Sequence, residues 1–299
     1  MRLIECVPNI SEGRDDAVLE RIVGAVRKTV GVELLDWSAD PDHNRAVLTY
    51  VGDPDAVLAA TQAMCLEAFA LIDMRKHEGA HPRLGAVDVI PFVPLRGVTE
   101  EEAVALARRL GEWIGEQGVP VYYYQDAATR PERASLPDVR RGEYEALAAR
   151  LATPEGQPDA GAAVFNVKSG ASIVGVRFPL IAFNVNLATA DLAIAKRIAE
   201  AVRFSGGGYR YVRAMGVALE EKGQVQVSTD IVNYEKMPIH RLLETIRSEA
   251  ARYGVAVVEC ELIGLAPLAA FEDVVRHYMQ IHGFSADQII ENRLLETQG

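Results

Sequence analysis

One order of elements runs through this chain twice, and it limits the folds available more than any single motif does. Before about residue 125 the pattern reads strand, helix, strand, strand, helix, strand, with an extra helix and strand appended. After about residue 176 the same six-element order returns. Leu3 to Val7, Val32 to Trp37, Ala46 to Val51, Val87 to Val93 and Pro120 to Tyr124 are short apolar runs bounded by turn residues, as strands are. Asp15 to Thr29 repeats apolar residues at helical spacing, through Val18, Leu19, Ile22, Val23 and Val26. Asp53-Pro54 opens a helix to about Ile72. Thr99, with Glu102 three residues on, predicts a capping box for a helix to about Gln117. In the second half, strands are expected over Phe178 to Asn186, Val212 to Glu220, Val225 to Val232 and Val255 to Ile263. Helices are expected over Asp191 to Arg203 and Pro238 to Tyr253, and Lys222-Gly223 marks a hairpin.

That order fits a split β-α-β sandwich. The expected fold class is α/β (α+β), with two ferredoxin-like α/β sandwich subdomains, residues 1–176 and 177–299; the cleft between them is implied by a family resemblance rather than by this order. From Asp126 to Val174 periodicity fades and arginines gather (Arg130, Arg133, Arg140, Arg141). This stretch reads as long ordered loop with one short helix at Tyr144 to Leu151, and a loop of that length is usually functional.

Charge and cysteine content narrow the function classes. The net charge of −11 and pI near 5.1 argue against a nucleic-acid partner or a polybasic membrane anchor. Cys6, Cys65 and Cys260 are scattered and odd in number, which fits a reduced, cytoplasmic setting. The N-terminus does not read as a signal peptide, and no apolar run approaches the ~18 residues of a membrane span.

The chemistry is expected between Asp73 and Gly85 (DMRKHEGAHPRLG). His77 to His81 spells H-E-x-x-H, the zinc-peptidase pattern, in which both histidines ride one helix face. Gly79 inside the motif and Pro82 directly after it disfavour a helix there, so no metal is expected. The other reading presents His81 as an acid/base, since a neutral imidazole suits proton transfer near neutral pH. His77 reads as structural or substrate-side. Asp40, Asp88 and Glu12 are the carboxylates placed to orient a histidine. His43 sits in a polar turn with Asp40, Asp42 and Arg45, while His240, His277 and His282 read as solvated helix residues.

Five stretches carry a resemblance: Glu5 to Gly13 (ECVPNISEG), His77 to Asp88 (HEGAHPRLGAVD), Pro94 to Thr99 (PLRGVT), Arg140 with Gly142 to Glu145 (GEYE), and Ala182 to Leu187 (AFNVNL). Together they resemble the glutamate formimidoyltransferases, the formiminotransferase part of formiminotransferase-cyclodeaminase. The resemblance covers nearly the whole chain and implies a stand-alone form without the cyclodeaminase half. It implies transfer of the formimino group from N-formimino-L-glutamate to N5 of tetrahydrofolate, in histidine degradation, by a cytoplasmic homodimer. It makes His81 the catalytic residue, with Arg83, Asp40 and Arg45 as substrate contacts. It places the folate segment at Gly161, Ala162, Ala163, Val164, Phe165, Asn166, Val167, Lys168, Ser169 and Gly170. Ala160 and Ala162 depart from the expected pattern there. Three alternatives stand beside this reading: 5-formyltetrahydrofolate as donor, a zinc hydrolase using His77, Glu78 and His81, and a non-catalytic folate-binding module.

Overall fold

The structure is a computed structural model that describes residues 2–298. It divides into two compact units, Met1–Arg177 and Phe178–Gly299. The first opens with β1 (Leu3–Cys6), β2 (Asn9–Ile10), α1 (Asp16–Arg27), β3 (Val32–Asp40), β4 (Arg45–Gly52), α2 (Pro54–Leu71) and β5 (Val87–Arg96). β1 and β2 are two pieces of one line, interrupted at Val7-Pro8, because proline offers no N–H to a ladder. Both pieces pair antiparallel with β4 on one side and β5 on the other. β3 lies outside β4. Taking β1 and β2 as one strand, the sheet reads β3-β4-β1/β2-β5, the split β-α-β arrangement.

Local signals set the helix ends. The Asp15 carboxylate accepts from the Ala17 and Val18 amides at the start of α1, and Leu19, Ile22, Val23 and Val26 form its buried stripe. Pro54 opens α2 behind an Asp53 cap. α3 (Glu100–Glu116) carries the Thr99–Glu102 capping box in both directions.

The stretch after β6 (Val121–Gln125) holds more order than its sequence suggests. It contains α4 (Leu136–Val139), the expected helix α5 (Glu143–Leu151), and a further strand, β7 (Ser172–Val176). β7 lies between β5 and β6, parallel to both, and makes the sheet seven-stranded. All five of its residues are buried. A strand covered on both faces shows no alternation, so Ser-Ile-Val-Gly-Val reads as loop. α4 and α5 do the covering: Val139, Leu147 and Leu151 pack with Val89, Tyr122, Tyr124 and Ile173. Arg133, 2% exposed, holds the intervening chain through an ion pair to Asp159 and bonds to the Glu155 and Gln157 carbonyls.

The second unit runs β8 (Ile181–Leu187), α6 (Leu192–Val202), β9 (Val212–Leu219), β10 (Gln224–Ile231), α7 (Ile239–Ala251) and β11 (Val257–Ile263). Helices α8 (Ala269–Met279) and α9 (Ile290–Gln298) follow. Its four strands are antiparallel in the order β11-β8-β10-β9. β9 and β10 form the expected hairpin, with Gly223 at φ +60°. Ile181, Phe183, Val185 and Leu187 pack against Ile198, Val202, Leu242 and Ile246.

Candidate active site

The chain between α2 and β5 carries the histidines, and three neighbours hold its shape. Met74 N–H donates to the Lys168 carbonyl at 2.8 Å, and Ala86 N–H to the Ser169 carbonyl at 2.9 Å. Both ends are thus tied to the 161–170 segment. Between them, Ala80 N–H reaches the Asp42 carbonyl at 3.2 Å. Asn44, in the left-handed region at φ 49°, donates to the Glu78 carbonyl at 2.9 Å and accepts from Gly13 N–H at 3.0 Å. α2 ends at Leu71, and His77 to His81 lie in irregular chain, off any helix.

A crevice in this unit is lined by Asn9, Ile10 and Ser11, by His43, Asn44 and Arg45, by His77, His81 and Arg83, and by Asp88. His81 is half-buried there. Its Nε2 lies 2.6 Å from Arg45 Nη1. Arginine can only donate, so Nε2 accepts and His81 is a neutral ring. That leaves the ring hydrogen on Nδ1, and a hydrogen bond to the Pro82 backbone favours the charged ring. Burial, then the charges of Arg45 and Arg140, and then His43, push its pKa down to about 3. The sequence singled out Arg140 as a loop arginine without assigning it to the histidine. Its guanidinium binds the buried carboxylate of Asp88, whose other oxygen accepts from Leu84 N–H at 2.7 Å. Burial raises the Asp88 pKa despite those partners.

The remaining site residues sort by what they touch. Asp40 orients His43, not His81: its Oδ2 lies 2.6 Å from His43 Nδ1, and its Oδ1 accepts the Asp42 and His43 amides. Burial works against that carboxylate, but the His43 bonds outweigh it and hold its pKa low. The His43 and His81 rings sit edge to face at 6.2 Å. Glu12 orients no histidine; it accepts from the Arg14 and Asp15 amides. Asp88 serves the loop through Leu84 and Arg140. Arg83, 9% exposed, has its guanidinium on Glu143 at 3.0 Å, Glu145 at 2.6 Å and His77 Nδ1 at 3.3 Å. The fork expected to hold a substrate carboxylate already holds two from the protein. In the second unit, His240 and His277 stack at 4.4 Å.

Gly161 to Gly170 is shaped by its own backbone. Asn166 accepts from the Lys168 and Ser169 amides, and Gly170 turns at φ +68° against Leu84 and Gly85. Phe165 packs on Tyr144 at 5.3 Å, while Val164 and Val167 stay 67% and 49% exposed. The segment bonds to both ends of the histidine loop and presents bare apolar side chains next to it.

Comparison with known proteins identifies the family. Residues 3–177 match the family described as Formiminotransferase domain, N-terminal subdomain, and residues 182–295 match Formiminotransferase domain. The chain is 45% identical over 296 residues to Glutamate formimidoyltransferase of Streptococcus pyogenes serotype M1, covering 98% of this chain and 99% of that one. It is 46% identical over 297 residues to the protein of the same name from Thermoplasma acidophilum, covering 98% of each. Against Formimidoyltransferase-cyclodeaminase of Rattus norvegicus it is 43% identical over 284 residues, 93% of this chain and 52% of that one.

Proposed function

The chain belongs to the formiminotransferase family, and from that premise we propose how its crevice performs the transfer. The enzyme moves the formimino group from N-formimino-L-glutamate to N5 of tetrahydrofolate, giving 5-formiminotetrahydrofolate and L-glutamate, in histidine degradation. N5 attacks the amidine carbon, and a tetrahedral intermediate forms. His81 takes the proton from N5 and helps deliver one to the departing glutamate nitrogen. Acid/base help of this kind contributes about 10²–10⁴-fold, and holding both substrates in one place contributes more.

The observation that carries this reading is the His81 environment. The ring is neutral, its Nε2 is an acceptor, and Arg45 and Arg140 stand beside it in a chain of net charge −11. Those two cations favour anionic substrates, and a substrate carboxylate set among them would raise the basicity of His81 toward its ordinary range. With Arg83 held by Glu143 and Glu145, and Arg140 by Asp88, Arg45 is the better candidate for a carboxylate of the donor. Val164, Phe165 and Val167 offer apolar surface to the flat rings of the folate. No helix among the described residues is long and apolar enough to cross a membrane. The reading extends to a cytoplasmic homodimer that takes tetrahydrofolate as co-substrate and uses no metal.

His81→Ala tests it. The variant should fold and lose nearly all formimino transfer. Near wild-type turnover would remove His81 from the mechanism. Parallel assays with 5-formyltetrahydrofolate establish which donor the site prefers.

A further inference from the structure

We propose that Tyr144 is the positioning residue of the folate segment: its side chain holds residues 165–167, and its backbone is bonded to the histidine loop. The inference rests on the folate reading of Gly161 to Gly170 given above and adds the residue that gives that segment its shape.

In Gly142 to Glu145 (GEYE), Glu143 and Glu145 hold Arg83, and Tyr144 stands between them with no part in that pairing. Gly142 and Glu143 both turn into the left-handed region, at φ 82° and 55°. A residue other than glycine persists there where its surroundings fix it. Arg83 does so: its backbone N–H and its Nη1 both donate to the Glu143 carboxylate, at 3.3 and 3.0 Å. The double turn sets the start of α5 against the histidine loop, and Tyr144 N–H donates to the Arg83 carbonyl at 3.0 Å. Farther along α5, Leu147 and Leu151 are anchored in the core. Tyr144 therefore projects from a fixed base, bonded to the loop two residues beyond His81.

From that base the side chain reaches the segment twice. Its hydroxyl donates to the Val167 carbonyl at 2.5 Å, and its ring packs on Phe165 at 5.3 Å. The tip of the segment needs such ties. Val164 and Val167 are exposed, so burial does not hold them. The backbone bonds from the Lys168 and Ser169 carbonyls hold the end that follows, and Asn166 donates to the Gly118 carbonyl at 3.0 Å. A segment already ordered when its ligand arrives spares the complex that ordering cost, and affinity rises accordingly. Losing the Tyr144 contacts should weaken tetrahydrofolate binding and leave the chemical step intact.

The experiment compares Tyr144→Phe, which loses the hydroxyl bond and keeps the ring, with Tyr144→Leu, which loses both. Tyr144→Phe should raise the KM for tetrahydrofolate about three- to tenfold. Tyr144→Leu should raise it by a further factor of about three to ten. In both, kcat and the KM for N-formimino-L-glutamate should stay within about twofold of wild type. The proposal is overturned if the tetrahydrofolate KM of either variant stays at the wild-type value, or if both KM values rise in proportion. Backbone hydrogen exchange gives a second readout that needs no turnover. The amides of residues 164–168 should exchange faster in Tyr144→Leu than in wild type, while those of β5 and β7 keep their protection. Equal exchange of the segment in the two proteins also overturns the proposal. Val164→Glu tests the underlying reading. It sets a charge on the exposed side chain before Phe165, where flat apolar rings would lie, and should raise the tetrahydrofolate KM by about tenfold or more. An unchanged KM there defeats the folate reading itself, a result separate from any failure at Tyr144.

Discussion

Arg83 Nε donates to His77 Nδ1 at 3.3 Å, and that bond separates the two histidines of the loop by role. The other nitrogen of His77 donates to the Asn44 carbonyl at 2.8 Å. Its tautomer is fixed from both sides, and its lone pair and its proton are both in use. His77→Ala should therefore act on stability before chemistry. Losing two such bonds should cost about 1–3 kcal/mol, seen as a lower urea midpoint with an unchanged slope. Turnover should stay within about tenfold of wild type, far above His81→Ala.

The same bonds bear on the zinc reading. A histidine ligates a metal through a lone pair, and the one on His77 is taken by Arg83. Among the described residues, no group of three or more His, Cys, Asp or Glu side chains is arranged to hold a metal ion. Enzyme dialysed against a strong chelator should keep its full rate of transfer, and added zinc should not raise it. A chelator-sensitive rate restored by zinc would reinstate His77, Glu78 and His81 as ligands.

The sequence showed the skeleton of this molecule and hid its wiring. Both six-element repeats were legible because apolar periodicity and caps such as Asp53-Pro54 and Thr99–Glu102 are local signals. β7 was not, because a strand buried on both faces has no alternation to read. Gly79 and Pro82 correctly placed His81 in a loop. The partners of each charge could not be read, since pairing depends on contacts distant in sequence. Arg83 meets Glu143 and Glu145 some sixty residues on, and Arg140 meets Asp88. Asn44 left one faint signal: a polar residue in a turn tolerates the left-handed conformation it adopts here.

Acidity should act on stability through His81. Its folded pKa, about 3, lies below the ordinary histidine value of 6.5. Between those two values the unfolded chain binds a proton that the folded chain refuses. The contribution is fully favourable above about pH 6.5 and is lost as pH falls toward 3. The thermal midpoint should drop more steeply between pH 6.5 and 4 in the wild type than in His81→Gln. Parallel curves would mean that His81 is not held neutral.

Asp88→Asn should be among the more damaging single changes near the site. The carboxylate is 2% exposed, pairs with Arg140 and accepts from Leu84 N–H at 2.7 Å. Removing one member of a buried pair typically costs about 3–5 kcal/mol, because the other charge is left without its partner. Guanidinium unfolding should show that loss. Replacing Arg140 and Asp88 together by apolar residues of similar size should restore part of the stability but not the transfer rate, since Arg140 also contributes to the field around His81.

Gly79 is required by a close approach, with no left-handed backbone involved. A Cβ built there would stand 2.3 Å from the His43 carbonyl oxygen and 2.8 Å from the Asn44 Cβ. Both atoms belong to the turn just before Arg45, so the histidine loop and the arginine turn touch at this point. Gly79→Ala must push them apart and lengthen the 2.6 Å contact between Arg45 and His81. Overpacking of this kind costs about 1–3 kcal/mol. The kinetic effect should be larger than the loss of stability alone explains: misplacing His81 by about 1 Å can cost on the order of 10²-fold. Gly24→Ala provides the control. It lies within α1 with nothing inside 4 Å of the added carbon, and should stabilise the protein by about 0.5–1 kcal/mol without touching kcat. If Gly79→Ala folds with wild-type kcat/KM, the loop and the turn are not coupled through this contact.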